Sequence, residues 1–320
     1  MTTGILNSRI AETPIAVIDF ETTGLVAGYD RVIEVSVVRL DPGESPRLVF
    51  DSLINPERPV AATEIHGITD EDVENAPAFR DIAGEVLESC SGCVVAAYNV
   101  YFDIKFLHSE LAEAGVDHQT PHFCVMYMRP MLGLGGRCKL EEACRVHGIP
   151  YNSSHVASHD ALAAGNLLRH YWGDLGERGV NTFADLSALK KYKFSESFGL
   201  IPFPKPETFG LKRIKHGDKI LSRSGFAVKE DPVQRALGSY WEMLKAVLSD
   251  LEVSDSELAE MHAERSRGGL KEEQIRVLHA KAMASLMMQF ASDQWLDDGE
   301  ARKLTKLHHC LAKLGWAPGM

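Results

Sequence analysis

Three short stretches of this 320-residue chain hold side chains that could act together. Asp19-Phe20-Glu21-Thr22-Thr23-Gly24 follows the apolar run Ile15-Ala16-Val17-Ile18. Asn99 and Asp103 follow a second run, Val94-Val95-Ala96-Ala97, and His155 and Asp160 precede the apolar positions Leu162, Leu167 and Leu168. Together they supply four carboxylates and a histidine. That is the inventory a two-metal site for cutting phosphodiester bonds needs.

The elements that must position them follow from spacing. Residues i and i+2 of a strand share a side, so a strand over the first run aims Asp19 and Glu21 together and turns Phe20 away. Carboxylates that close repel each other, and burying them unpaired is costly. A divalent cation removes the conflict, and Mg²⁺ keeps waters that leave room for a substrate phosphate. Taken alone, Asp-x-Glu also describes a strand end with solvated acids. Ile104, Phe106, Leu107 and Leu111 have helical spacing, which puts Asp103 in a first turn where its charge suits the helix dipole. Stabilising that helix start would by itself account for Asp103. Ser158 is the expected N-cap of a helix with Asp160 in its first turn. His155 then belongs to the loop before it, because five residues apart on one helix the two would fall on different faces. His159 competes for the histidine role but reads better as an exposed first-turn histidine.

Order and spacing resemble the DEDDh exonucleases, 3′→5′ nucleases of the ribonuclease H-like fold, especially the proofreading epsilon subunit of bacterial DNA polymerase III. The first motif matches at Asp19, Glu21 and Thr22-Thr23-Gly24, and the third as His-x4-Asp at His155 and Asp160. The second matches at Asn99 and Asp103, with Tyr98 where a histidine is common. Ile65-His66-Gly67-Ile68-Thr69 is similar to the family's loop between the first two motifs, and the stretch from Lys139 to Ile149 to the helix before the third. The resemblance covers about residues 13–172 and lacks no required carboxylate.

It implies that Asp19, Glu21, Asp103 and Asp160 hold two Mg²⁺ or Mn²⁺ ions, with His155 as general base and nucleoside 5′-monophosphates as products. It further implies that Thr22, Thr23 and Gly24 line the terminal nucleotide and that Asn99 and Phe102 shape the second-motif turn. His66 either contacts the strand or is a structural loop histidine. Without substrate, His155 is expected to be mobile or turned away.

The apolar fraction of 45% and charged fraction of 25% are those of an ordinary globular protein long enough for two domains. No run of eighteen apolar residues suggests a membrane span, and the first residues lack a basic-then-apolar leader pattern. Cys90-Ser91-Gly92-Cys93 has no second pair to complete a zinc site. A reducing, cytoplasmic setting is therefore expected. Charge is uneven: residues 1–171 carry 24 acids against 12 Lys/Arg, and residues 189–229 carry 10 Lys/Arg against 3 acids. The acidic part would repel a nucleic acid unless metals reverse its field. The basic part also carries Tyr192, Phe194, Phe198, Phe203 and Phe209, so it could track a strand by phosphate contact and stacking, or pack its aromatics on its neighbours.

Hairpin strands first, then strands alternating with helices, predict a mixed sheet flanked by helices. Strands are expected at 32–40, 48–53, 94–97 and 122–128, and helices at 82–87, 103–114, 140–147 and 160–172. Pro202, Pro204 and Pro206 mark a linker. From about Pro232 the chain reads as all-helical, with apolar faces at Tyr240, Leu244, Val247 and Leu248, at Ile275, Leu278, Ala282, Leu286 and Phe290, and at Leu304, Leu307, Leu311 and Leu314. Ser254-Asp255-Ser256-Glu257 reads as a helix start. This layout resembles TerB-like helical domains. The acidic cluster Asp293, Asp297, Asp298 and Glu300 is either a cation site or a solvated turn.

The expected organisation is an exonuclease domain over 1–173, a basic linker over 174–229 and a helical domain over 230–320. The expected partner is a nucleic-acid 3′ end, single-stranded DNA first, with a polymerase or repair partner also open. Two further readings stay open: an RNA-trimming exoribonuclease, and a binding module that uses the nuclease fold as a scaffold.

Overall fold

The computed structural model describes residues 4–151, 155–212, 220–223, 231–248, 253–291 and 298–316, and for 288–291 the backbone alone. Five strands, β1 (Ile15–Thr22), β2 (Val32–Leu40), β3 (Arg47–Leu53), β4 (Val94–Ala97) and β5 (His122–Cys124), form one sheet in the order β3-β2-β1-β4-β5. The pairs β1–β2 and β2–β3 are antiparallel, whereas β1–β4 and β4–β5 are parallel. This is the ribonuclease H-like mixed sheet that the sequence led us to expect. Successive residues of a strand face opposite sides, yet Ile15, Ala16, Val17 and Ile18 are all fully buried, so both faces of the sheet are covered.

Eight helices belong to this part: α1 (Thr63–His66), α2 (Asp70–Val73), α3 (Phe79–Cys90), α4 (Val100–Glu113), α5 (Val125–Met131), α6 (Leu140–Val146), α7 (Ala157–Glu177) and α8 (Phe183–Leu189). Helix α7 packs along β1, β2 and β3, while α3 and α4 pack on each other and on the sheet. Four more follow: α9 (Pro232–Leu248), α10 (Asp255–Arg267), α11 (Glu272–Ala291) and α12 (Asp298–Lys313). Their apolar faces meet in a core of their own, with Tyr240, Leu244, Val247, Ile275, Leu278, Ala282, Leu307, Leu311 and Leu314 buried. The side chain of Phe290 lies outside the described residues, as do Asp293 and Asp297 of the acidic cluster. Ser254 caps α10, its hydroxyl accepting from the Glu257 N–H while Glu257 returns a bond, a capping box that fixes where the helix starts.

Two expectations are corrected. The strand over 122–128 stops at Cys124, because its only partner ends at Ala97; Val125 to Met131 then coils into α5, with the Met126 N–H on the Tyr98 carbonyl at 3.0 Å. Ser158 is not the N-cap of α7: the helix already starts at Ala157, and Ser158 is buried inside its first turn. Of the two readings of the basic segment's aromatics, packing on their neighbours holds for three of the five. Phe194, Phe198 and Phe203 are 1% exposed or less and pack into the cluster beneath the sheet. Arg213 and Lys215 of that segment lie outside the described residues.

Candidate active site

The site forms where β1 ends against the first turns of α4 and α7. Asp19 and Glu21 leave β1 on one side, as the period of two demands, and a register shift at Glu21/Thr22 ends the pairing just there. Asp103 rides in the first turn of α4 and accepts the Phe20 N–H at 3.2 Å, which ties that helix to β1. A second tie comes from the Arg31 guanidinium, which grips Glu110 of α4 with bonds of 2.9 and 2.7 Å. Asp160 sits in the first turn of α7 and accepts the His155 N–H at 2.9 Å and the Tyr151 hydroxyl at 2.5 Å. Asp19, Glu21 and Asp160 each offer a ligand atom within 4.8 Å of the others.

Electrostatics follow from that crowding. Burial, and then Asp160, Asp103 and Glu21, push the Asp19 carboxyl well above the usual carboxylate range. Burial pushes Asp103 up to about 7 against the pull of Lys245, and Asp160 up to about 7 against His155 and Tyr151. For Glu21 burial acts upward too, but the His155 imidazole facing it and the Lys245 charge outweigh it and hold the carboxyl at about 2. Burial opposes charge on His155, yet Glu21 beside it raises the imidazole above its usual value.

His155 lies on the loop before α7, with φ at +62°, a left-handed conformation uncommon for residues other than glycine. Contrary to the expectation for the substrate-free site, it is not turned away. It is buried, with Nδ1 3.8 Å from Glu21 Oε1 and Nε2 without a hydrogen-bond partner. His159 lines a separate cavity beside Leu162 and His170, away from the carboxylates.

The remaining residues divide by what holds them. The Thr22 hydroxyl donates to the Gly24 carbonyl at 2.6 Å, and Thr23 Oγ1 accepts the Arg31 N–H at 3.0 Å, so both threonines are spent on the turn. Gly24 lies so close to Asp30 that a Cβ there would fall 2.5 Å from its carboxyl. His66 uses both ring nitrogens in its own loop: Nε2 meets the Ala61 carbonyl at 3.0 Å and Nδ1 accepts the Ile68 N–H at 3.1 Å. Contact with a strand would require that loop to open. Asn99 lines a 790 Å³ cavity beside Asp19, Glu21 and His155, and both polar atoms of its buried amide lack partners. Phe102 lies under the Lys245 ammonium at 4.2 Å.

Tyr151, Glu34 and Lys245 belong to the surroundings of the site and were missed in the sequence. Glu34 is the cross-strand neighbour of Glu21, fully buried, and accepts the Ala157 N–H at 3.3 Å at the start of α7. Burial pushes it up to about 8, although Arg223 pairs with it at 3.2 Å. A lone acid inside the apolar run of β2 was the signal available for Glu34. Tyr151 and Lys245 gave none.

Residues 16–168 match the model of the Exonuclease family RNase_T. A DNA polymerase III subunit epsilon-like protein of Rhodobacter capsulatus is 32% identical over 198 residues, covering 58% of this chain and 28% of that one. A PolC-type DNA polymerase III of Streptococcus pneumoniae is 29% identical over 216 residues, covering 65% of this chain and 14% of that one. The chain thus spans under a third of these relatives' lengths. A solved exonuclease X, in complex with 5′ overhanging duplex DNA, aligns with a TM-score of 0.39 at 18% identity, over 58% of this chain and 97% of that one. The exonuclease-family match takes in the sheet and the helix starts that carry Asp103 and Asp160, and the chain continues beyond it into a helical unit.

Proposed function

We propose that the chain is a metal-dependent 3′→5′ exonuclease that releases nucleoside 5′-monophosphates from a DNA 3′ end. The observation that carries this reading is the meeting of Asp19, Glu21 and Asp160 within 4.8 Å, beside His155. The donor set suits hard cations: oxygen ligands only, too crowded to ionise together without added positive charge. Asp19, Glu21, Asp103 and Asp160 would hold two Mg²⁺ or Mn²⁺ ions, which supply Lewis-acid stabilisation and a more acidic water.

The chain's own residues do the rest. Glu21 orients the imidazole through Nδ1, leaving Nε2 to take the proton of the attacking water. Thr22, Thr23 and Gly24 would present backbone to the terminal nucleotide, and the unpartnered Asn99 amide faces the cavity that holds Asp19 and Glu21. Phe102 would shape the second-motif turn, and His66 braces its own loop through the Ala61 carbonyl. DNA is the proposed substrate because the relatives carry the names of DNA polymerase subunits. A polymerase partner rests on the same names.

The proposed organisation is an exonuclease domain over 1–173, a connecting segment over 174–229 and a TerB-like helical domain over 230–320. No helix among the described residues is long and apolar enough to cross a membrane, and all six cysteines are free, which suits a reducing cytoplasm. Degradation of matched single-stranded DNA, duplex DNA and RNA, labelled at the 5′ end, tests the reading. Stepwise shortening of the single-stranded DNA in Mg²⁺ and none in EDTA is expected. Faster loss of RNA would move the substrate to RNA, and loss of no strand would refute the reading.

A further inference from the structure

Helix α9 lies across the mouth of the site. Gly238, Glu242 and Lys245 share one face at spacings i, i+4 and i+7, and that face is turned to the carboxylates. Gly238 comes so close that a Cβ there would fall 2.1 Å from Nε2 of His155, the atom left unpartnered. Glu242 lines the same cavity as Asp19, Glu21 and Asp160. The Lys245 ammonium is 8% exposed, 2.5 Å from Glu242 and 4.2 Å above the Phe102 ring, with its charge bearing on Asp19, Glu21 and Asp103.

The rim repeats the pattern with signs reversed. Lys139 contacts Glu264 of α10 at 2.6 Å and the Ser239 hydroxyl of α9 at 2.6 Å. Arg137 pairs with Glu257 of α10 and donates to the Tyr127 hydroxyl at 2.7 Å. Both cations line the cavity that holds the catalytic carboxylates. Among the described residues of the exonuclease side, Ala62 and Ile65 are buried in the apolar cluster of the helical unit and Leu25 packs against it, whereas at the cleft α10 meets that side through the ion pairs of Arg137 and Lys139. Ionic contacts of this kind exchange readily for others of the same sign.

We propose that α9 and α10 occupy the place of the substrate and close the site from within the chain. Lys245 supplies the positive charge that a divalent cation would bring, and Glu257 and Glu264 hold Arg137 and Lys139 as the phosphates of a strand would. Strand and metal must displace the helical unit together, and Arg137 and Lys139 then hold the incoming backbone. This rests on the exonuclease reading above and adds a regulation of that same site.

The test uses the full chain and two variants, Gly238→Ala and Lys245→Met. Gly238→Ala improves the intrinsic helix propensity of α9 while placing a methyl against His155, so it disfavours docking rather than the helix. Two affinities are measured: Mn²⁺ alone by electron paramagnetic resonance, and a fluorescein-labelled (dT)20 by anisotropy with Ca²⁺ as the ion. If the docked state holds nine-tenths or more of the population, both variants should bind Mn²⁺ and (dT)20 about tenfold or more tighter than the parent. In the parent, fluorescence of the buried Trp241 should shift to the red when Mn²⁺ and (dT)20 are added together. Unchanged affinities in both variants, with Mg²⁺-dependent cleavage by the parent, would overturn the closure and leave the exonuclease reading standing. Binding of neither probe by any of the three proteins would overturn both.

Discussion

Tyr151 donates its hydroxyl to Asp160 at 2.5 Å, from a loop nine residues upstream of the carboxylate it holds. That bond favours the ionised form of Asp160, which burial otherwise pushes up to about 7. Tyr151→Phe removes it and should raise the Asp160 pKa further. A hydrogen bond to a charged group is worth roughly 1.5–3 kcal/mol, so metal affinity at pH 7 should fall about tenfold or more. Calorimetric titration with Mn²⁺ at pH 7 and pH 9 checks this: the deficit should shrink at the higher pH.

Metal binding should also release protons in a definite pH window. Asp103 and Asp160 stand at about 7 in the folded chain against a usual value of 3.8. Between about 4 and 7 the folded metal-free chain therefore binds more protons than the unfolded one, and its stability falls as pH rises through that window. A cation reverses the shift. Titrations in buffers of different ionisation enthalpy should detect more protons released at pH 6 than at pH 8. Equal release at the two would contradict the crowding of the carboxylates.

The base can be assigned by comparing two histidines on one short stretch. His155→Ala should lower the cleavage rate by about 10²–10⁴, the usual worth of general-base catalysis. His159→Ala, which alters a separate cavity, should change it far less. Single-turnover rates with a 5′-labelled strand separate the two, and the reverse order of effects would move the base to His159.

Gly24 should tolerate no side chain. Its missing Cβ is what lets the Asp30 carboxyl come within 2.5 Å of that position, where it also accepts the Val26 N–H at 2.9 Å. Gly24→Ala should lower stability by about 1–3 kcal/mol, the usual cost of overpacking. Denaturant melts with and without the substitution measure it.

Much of this was legible in the sequence because it is written locally. A period of two gave β1 and the common side of Asp19 and Glu21, and helical spacing placed Asp103 and Asp160 in first turns. What escaped depends on contacts between distant segments. Glu34 reaches Ala157 across 123 residues, and the basic segment's phenylalanines allow both stacking and packing until the core that buries them is known. Lys245 reads as an ordinary surface lysine until α9 is seen against the site. The exit of the chain from β5 was equally invisible, because it depends on where the neighbouring strand ends.

If these four carboxylates form a metal-dependent exonuclease site, a 5′-labelled single-stranded oligodeoxynucleotide should distinguish the full chain from Asp19→Asn, each incubated in Mg²⁺ and in excess EDTA. A ladder shortening from the 3′ end, with nucleoside 5′-monophosphates released, is predicted for the parent chain in Mg²⁺ alone. Shortening that persists in excess EDTA, or in Asp19→Asn at the parent's rate, would contradict it.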